Sequence, residues 1–165
     1  LETDPSTFVF NGYALHLHVK PKDCTHWVFG AGTYSLDLPK MMIDLNSDNK
    51  DKGWNTSIKS AYSLFFEYHL DNSKSGYFFG IQTGIQNYKI SNSNFEKKES
   101  EYSNLLIMPS VGYKWLPFAN SFYVKPWLGL GYTSKISGTN QIETLEYKID
   151  PMIPFLTVHF GYSFN

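Results

Sequence analysis

The chain has 165 residues, enough for a single domain spanning 1–165, with a formal net charge of −1 and 14 basic residues that are all Lys. A near-neutral chain without Arg lacks both the basic field and the bidentate fork that nucleic-acid binding uses, which excludes nucleic acid as a partner. Cys24 stands alone, so an intramolecular disulfide and a Cys-based zinc site are excluded too.

No segment approaches the roughly 18 apolar residues of a membrane helix, and Leu105-Leu106-Ile107-Met108-Pro109 is the densest apolar run. Aromatic residues nevertheless make up 18% of the chain while all hydrophobic residues reach only 42%. That combination fits alternating faces with amphipathic rings at an interface. The sequence opens on Leu without a signal peptide, as a mature or trimmed chain would.

Asp4-Pro5-Ser6-Thr7 reads as turn chemistry ahead of a first strand. Tyr13, Leu15, Leu17 and Val19 then alternate with Gly12, Ala14, His16 and His18. After Lys20–Thr25, Trp27-Val28-Phe29-Gly30-Ala31-Gly32-Thr33 resembles Tyr77-Phe78-Phe79-Gly80-Ile81-Gln82-Thr83 in order and spacing. Leu38–Gly53 is a long polar connection. Its Asp44–Lys52 stretch lacks the sixth-position Gly and closing Glu of a calcium loop, and reads as solvated.

Trp54–Leu70 places Trp54, Ile58, Tyr62, Leu64, Phe66, Tyr68 and Leu70 on one face. Asn55, Ser57, Lys59, Ala61, Ser63, Glu67 and His69 take the other. Asp71–Gly76 turns the chain, and Tyr77, Phe79, Ile81, Thr83 and Ile85 oppose Phe78, Gly80, Gln82, Gly84 and Gln86. Ser91–Glu101 is a polar loop. Leu105–Trp115 and Phe122–Thr133 follow as strands around the Leu116–Ser121 turn, the second with Tyr123, Lys125, Trp127, Gly129 and Gly131 on its smaller face. Ser137–Asp150 is the third long connection. The last strand alternates Leu156, Val158, Phe160, Tyr162 and Phe164 with Thr157, His159, Gly161 and Ser163.

The non-greasy face carries small residues and isolated charges, which is what a narrow barrel interior holds. Aromatics gather at strand ends, and short and long connections alternate, as in transmembrane barrels. On these features the chain resembles the small eight-stranded outer-membrane barrels of Gram-negative bacteria. The segment Pro154–Phe164 is similar to their C-terminal strand, where a terminal aromatic forms part of an insertion signal; Asn165 after Phe164 departs from that signal. The resemblance implies an all-β, antiparallel, up-and-down transmembrane barrel in the outer membrane, amid membrane lipid and lipopolysaccharide. Seven strands are legible and such barrels have even counts, so eight are expected. The eighth is either an N-terminal strand missing from this sequence or a short one at Thr144–Ile149.

Within the barrel, Lys59, Glu67, Lys114 and Lys125 are expected to face inward as a charge network, Glu67 pairing with a lysine because an interior ion requires a partner. His16, His18 and His159 also face inward. They read as polar filling rather than a metal site, since no carboxylate ligand follows from their spacing. No cofactor is expected. The function these readings favour is non-enzymatic, structural or surface-interacting through the longer loops, which could engage a partner protein. The alternatives are a lipid A-modifying enzyme and a conduit for small hydrophobic solutes. Ser63, Glu67 and His69 share a face but spread over about 20 Å of strand, and no Gly-x-Ser-x-Gly is present.

Overall fold

The computed structural model describes residues 1–71, 74–95, 98–118 and 121–164. The tips of the expected turns at 71–76 and 116–121, two residues of the 91–101 loop, and Asn165 lie outside the described residues. The elements run β1 (Glu2–Thr3), α1 (Ser6–Val9), β2 (Tyr13–Val19), β3 (Trp27–Asp37), α2 (Lys40–Ile43), β4 (Trp54–His69) and β5 (Gly76–Asn92). They continue as β6 (Glu99–Lys114), β7 (Phe122–Gly138), β8 (Gln141–Ile142), β9 (Leu145–Glu146) and β10 (Met152–Tyr162). Eight strands form one antiparallel sheet that closes in a ring, in the order β1-β10-β7-β6-β5-β4-β3-β2.

The eighth strand is β1. It pairs Glu2 with Gly161 and Thr3 with Phe160 on one side, and Glu2 with His16 on the other. Thr144–Ile149 does not enter the ring, because Leu145–Glu146 pairs with Gln141–Ile142 in a small hairpin of its own. With β1 in place, Leu1 lies beside Tyr162, whose backbone N–H donates to the Leu1 carbonyl at 2.8 Å. Residue 1 and the last strand's C-terminal end therefore share the end of the ring that carries the short turns. The longer connections gather at the opposite, loop end.

Alternation sorts the side chains as elementary strand geometry requires. In β5, Tyr77, Phe79, Ile81 and Ile85 are exposed while Phe78, Gly80, Gln82 and Gln86 are buried. The same division holds along β2, β6, β7 and β10. Most large apolar residues face outward, and the ring interior combines polar side chains with a few apolar ones, Phe65, Phe78, Leu106 and Met108.

β4 breaks the rule once. Leu36 pairs with Ile58 but Tyr34 pairs with Ala61, and on the other side Ile58 pairs with Tyr88 while Ser60 pairs with Asn87. The extra residue is a β-bulge, and it reverses the facing of everything before it. Trp54 and Ile58, expected on the outward greasy face, are therefore buried inside, and Lys59, expected inside, is outside. There its ammonium lies 2.7 Å from Glu101.

The inward flip serves the loop end. Trp54 and Ile58 join Ile43, Tyr88, Ile90, Tyr102, Ile142 and Tyr147 in an apolar cluster that fills the mouth. Tyr88 and Tyr102 stack with ring centroids 4.9 Å apart, and Trp54 meets Tyr147 edge-on at 5.5 Å. Burial pushes the Tyr147 phenol up, so the cap stays uncharged. The buried Asn49 side chain donates to the Lys148 carbonyl at 2.7 Å and accepts from the Lys148 N–H at 2.8 Å. This pair of hydrogen bonds from one amide to a backbone unit clasps the loop before β4 to the loop before β10.

Deleting Lys59 would remove the bulge yet leave Ile58 opposite Tyr88 and both side chains inward, whereas Trp54→Ala takes the largest ring out of the cap. Trypsin cleavage after Lys50 or Lys52 then speeds up by more than ~10-fold in Trp54→Ala, because it proceeds through local opening of a weakened cap, and stays close to wild type in the deletion. Limited proteolysis with mass spectrometry checks this; an unchanged rate in Trp54→Ala would mean the cap does not depend on that ring.

Candidate functional site

Charged and imidazole side chains converge inside the ring, toward the end that carries the short turns. β7 supplies Lys125, which is 2% exposed, and its ammonium lies 2.6 Å from Glu2 Oε1 and 2.8 Å from Glu67 Oε1. Glu2 comes from β1 and Glu67 from β4, so one cation bridges carboxylates on two separate stretches of wall. Tyr123 donates its hydroxyl to Glu2 Oε1 at 2.9 Å. Gly161 makes that reach possible, because a Cβ there would fall 2.2 Å from the Tyr123 ring.

The histidines surround Glu2. His159 Nδ1 is 3.1 Å and His18 Nε2 is 3.4 Å from Glu2 Oε2. The His16 ring lies tilted by 50° against that of His159, ring centroids 5.0 Å apart. β2 delivers His16 and His18 to one face through their two-residue spacing, and β3 leaves them room. His16 pairs across with Gly32 and His18 with Gly30, and a Cβ at either glycine would run into the facing imidazole. The Gly-x-Gly of the Trp27–Thr33 segment is thus the space the imidazoles occupy. On the far side, His69 Nε2 sits 3.1 Å from Glu67 Oε2.

The structure brings Glu67, Lys125, His16, His18 and His159 together. Lys114 lies apart toward the turn end, its ammonium 4.1 Å over the Tyr123 ring, at a vestibule of about 850 Å³ that reaches His18. Lys59 is outside the ring altogether, for the bulge described above. Ser63, Glu67 and His69 do not form a catalytic triad: His69 meets Glu67, but the Ser63 hydroxyl accepts from Gln82 at 2.9 Å. Two members of the cluster carried no sequence signal. Glu2 belongs to a strand of two residues, too short to show alternation. Asp4 sits in a segment that reads as a turn, and does cap Ser6, but its other oxygen Oδ2 accepts from Thr157 at 2.8 Å.

The interior narrows around this network to a space of about 20 Å³ lined by Glu2, Glu67, Lys125 and His159, room for about one water. A much larger cavity, about 520 Å³, lies in the wall itself. β1 ends at Thr3, so toward the loop end no strand separates β10 from β2, and the Asp4–Asn11 segment with α1 runs there instead. The cavity is lined both by inward-facing His16, Met108 and Trp127 and by outward-facing Leu156, which is 82% exposed. It therefore passes through the wall, with His16 and His159 at its inner end.

Comparison with family models, with curated proteins and with solved structures found no match.

Lys125→Met leaves Glu2 and Glu67 buried without their cation, and lowers stability by about 3–5 kcal/mol. Adding Glu2→Gln and Glu67→Gln restores most of that loss, since the uncompensated charges are gone. Urea-unfolding midpoints of the single and triple variants measure it; a triple variant no better than Lys125→Met would show that the charges are not what is lost.

Proposed function

We infer that this chain is an integral outer-membrane β-barrel without catalytic activity, a closed anchor that presents its capped loop end to partners outside the cell. The observation that carries this reading is the outward face. Leu15, Leu17, Phe29, Leu64, Phe66, Phe79, Ile81, Leu105, Ile107, Leu128, Leu130, Val158 and Phe160 are all exposed. Together they ring the sheet, whereas an ordinary water-soluble protein exposes apolar patches of only a few hundred Å². A soluble ring would carry these residues inside and Lys125 outside.

The band has edges. Toward the turn end it finishes in aromatic pairs, Trp27 with Tyr68 at 5.1 Å and Tyr77 with Tyr113 at 4.9 Å. Toward the loop end, Tyr13, Tyr62 and Tyr132 stand near its limit. Beyond them come the outward ion pairs Lys59–Glu101 at 2.7 Å and Lys89–Glu99 at 2.9 Å. From Tyr77 to Ile85 the outward run of β5 rises about 27 Å along the strand, which a tilted strand converts to roughly the hydrocarbon height. Charge and hydroxyl-bearing rings thus sit where headgroups would meet them.

The cap and the interior ion network speak for an anchor rather than an open pore. The clasped loops offer a rigid polar surface on which binding would reside. A second reading, a conduit or receptor for a small hydrophobic solute, is favoured by the cavity through the wall. Lipid A modification has less support, because the Ser63 hydroxyl is not directed to a base.

Diluted from urea into detergent micelles, the chain should run with a different mobility unboiled than boiled, and reconstituted bilayers should show no conductance. Folding in plain buffer alone would sink the membrane reading, and steady conductance would sink the closed anchor. Reconstituted in a lipid bilayer, Ile107→Lys costs about 2–4 kcal/mol and Ser137→Lys, beyond the band, less than about 1 kcal/mol. Equal costs in lipid-bilayer unfolding titrations would contradict the placement of the band.

A further inference from the structure

We propose that Glu2, His16 and His159 form a binding site for one divalent transition-metal ion inside the ring, with His18 beside it. One ligand atom from each of the three lies within 4.8 Å of the others, and all three residues are buried. Imidazole and carboxylate ligands about 2.0–2.2 Å from an ion stand roughly 3.3–3.6 Å from one another, so small side-chain rotations close the site. The three histidines alone would lack a carboxylate. β1 supplies it, because the strand that carries Glu2 is inserted between β2, which carries His16, and β10, which carries His159.

A second observation is independent of that clustering. Both ring nitrogens of His16 are buried without a hydrogen-bond partner. Buried polar atoms are almost always satisfied, and an imidazole orphaned on both sides, facing a carboxylate and a second imidazole, points to a ligand. The nitrogens of His18 also make no hydrogen bond, although Nε2 approaches Glu2 Oε2.

The surroundings are arranged as supports of metal ligands usually are. Glu2 meets the imidazoles with Oε2, while Lys125 and Tyr123 hold Oε1. His159 turns Nδ1 toward Glu2 and Nε2 toward Asp4 Oδ2, 3.9 Å away, and Thr157 fixes that oxygen. The acidic groups facing the cluster are Glu2, Asp4 and Glu67, and the ammonium groups nearby are those of Lys125, Lys114 and Leu1. The mixed nitrogen and oxygen set suits Zn²⁺ and its neighbours rather than Ca²⁺ or Mg²⁺, which take oxygen ligands. Three protein ligands leave a position open, and the wall cavity, which both His16 and His159 line, lies beside it.

The test uses the folded chain in micelles, stripped by a chelator and titrated with Co²⁺ as a visible-absorption probe, then with Zn²⁺. One equivalent of Co²⁺ should produce absorption bands of a four- or five-coordinate site, and Zn²⁺ should abolish them. His16→Asn and His159→Gln should each weaken binding at least ~10-fold with the unboiled mobility unchanged, and Asp4→Asn by ~10–100-fold. His26→Gln, outside the cluster, should bind as wild type. Absence of saturable absorption in the folded wild type would overturn the site, as would full binding by both histidine variants. Should those variants not fold, the ¹⁵N signals of the wild-type imidazoles decide: Zn²⁺ shifts those of His16 and His159, or the proposal fails.

Discussion

Closure of the ring depends on the ion bridge from Lys125 to Glu2. β1 has only two residues in the sheet, and backbone pairing over two residues is too little to hold a seam. What fixes it is the side chain of Glu2, turned inward onto Lys125, Tyr123 and His159. Lys125 in turn needs Glu67 to balance its second side, so the network ties β1, β7 and β4 through the middle of the molecule. Interior charges of this kind stabilise only when all are paired, which makes the network a specification of one register as much as a source of stability.

The wall and the interior pose opposite solvation problems, and two-residue alternation solves both with a single strand. Outward positions carry Leu, Ile, Phe and Tyr; inward positions carry glycine, which leaves room, polar groups, most of them hydrogen-bonded, and a few apolar side chains such as Phe78 and Leu106. The His16–Gly32 and His18–Gly30 pairs show how closely the two are matched. Where the strands rise beyond the apolar band, the requirement changes. The bulge near Ser60 exchanges the faces, so that Trp54 and Ile58 cap the mouth while Lys59 takes the outer surface.

Most of the sheet was legible in the sequence, because alternation over ten or more residues is a strong signal. The strands around Tyr77–Gln86, Leu105–Trp115 and Phe122–Thr133 face as their patterns say. Lys59 was misplaced because a bulge changes the phase without changing composition, and Trp54 and Ile58 were misplaced with it. Glu2 is silent in the sequence for a different reason: its role is set by partners more than 100 residues away, which no local pattern encodes. Asn49 and Lys148, 99 residues apart, are hidden in the same way, since their clasp joins two segments that each read as solvated loop.

The seam also bears on how the sheet is assembled. Every other neighbouring pair in the ring joins strands close in sequence, whereas β1 meets β10 across nearly the whole chain. Bringing those ends together carries the largest entropy of loop closure in the molecule, and few backbone bonds repay it. Growth strand by strand from β2 to β10, with the Glu2 segment docking last, is the order of least cost. The same economy makes the seam the first stretch of wall to part, beside the opening that already passes through it.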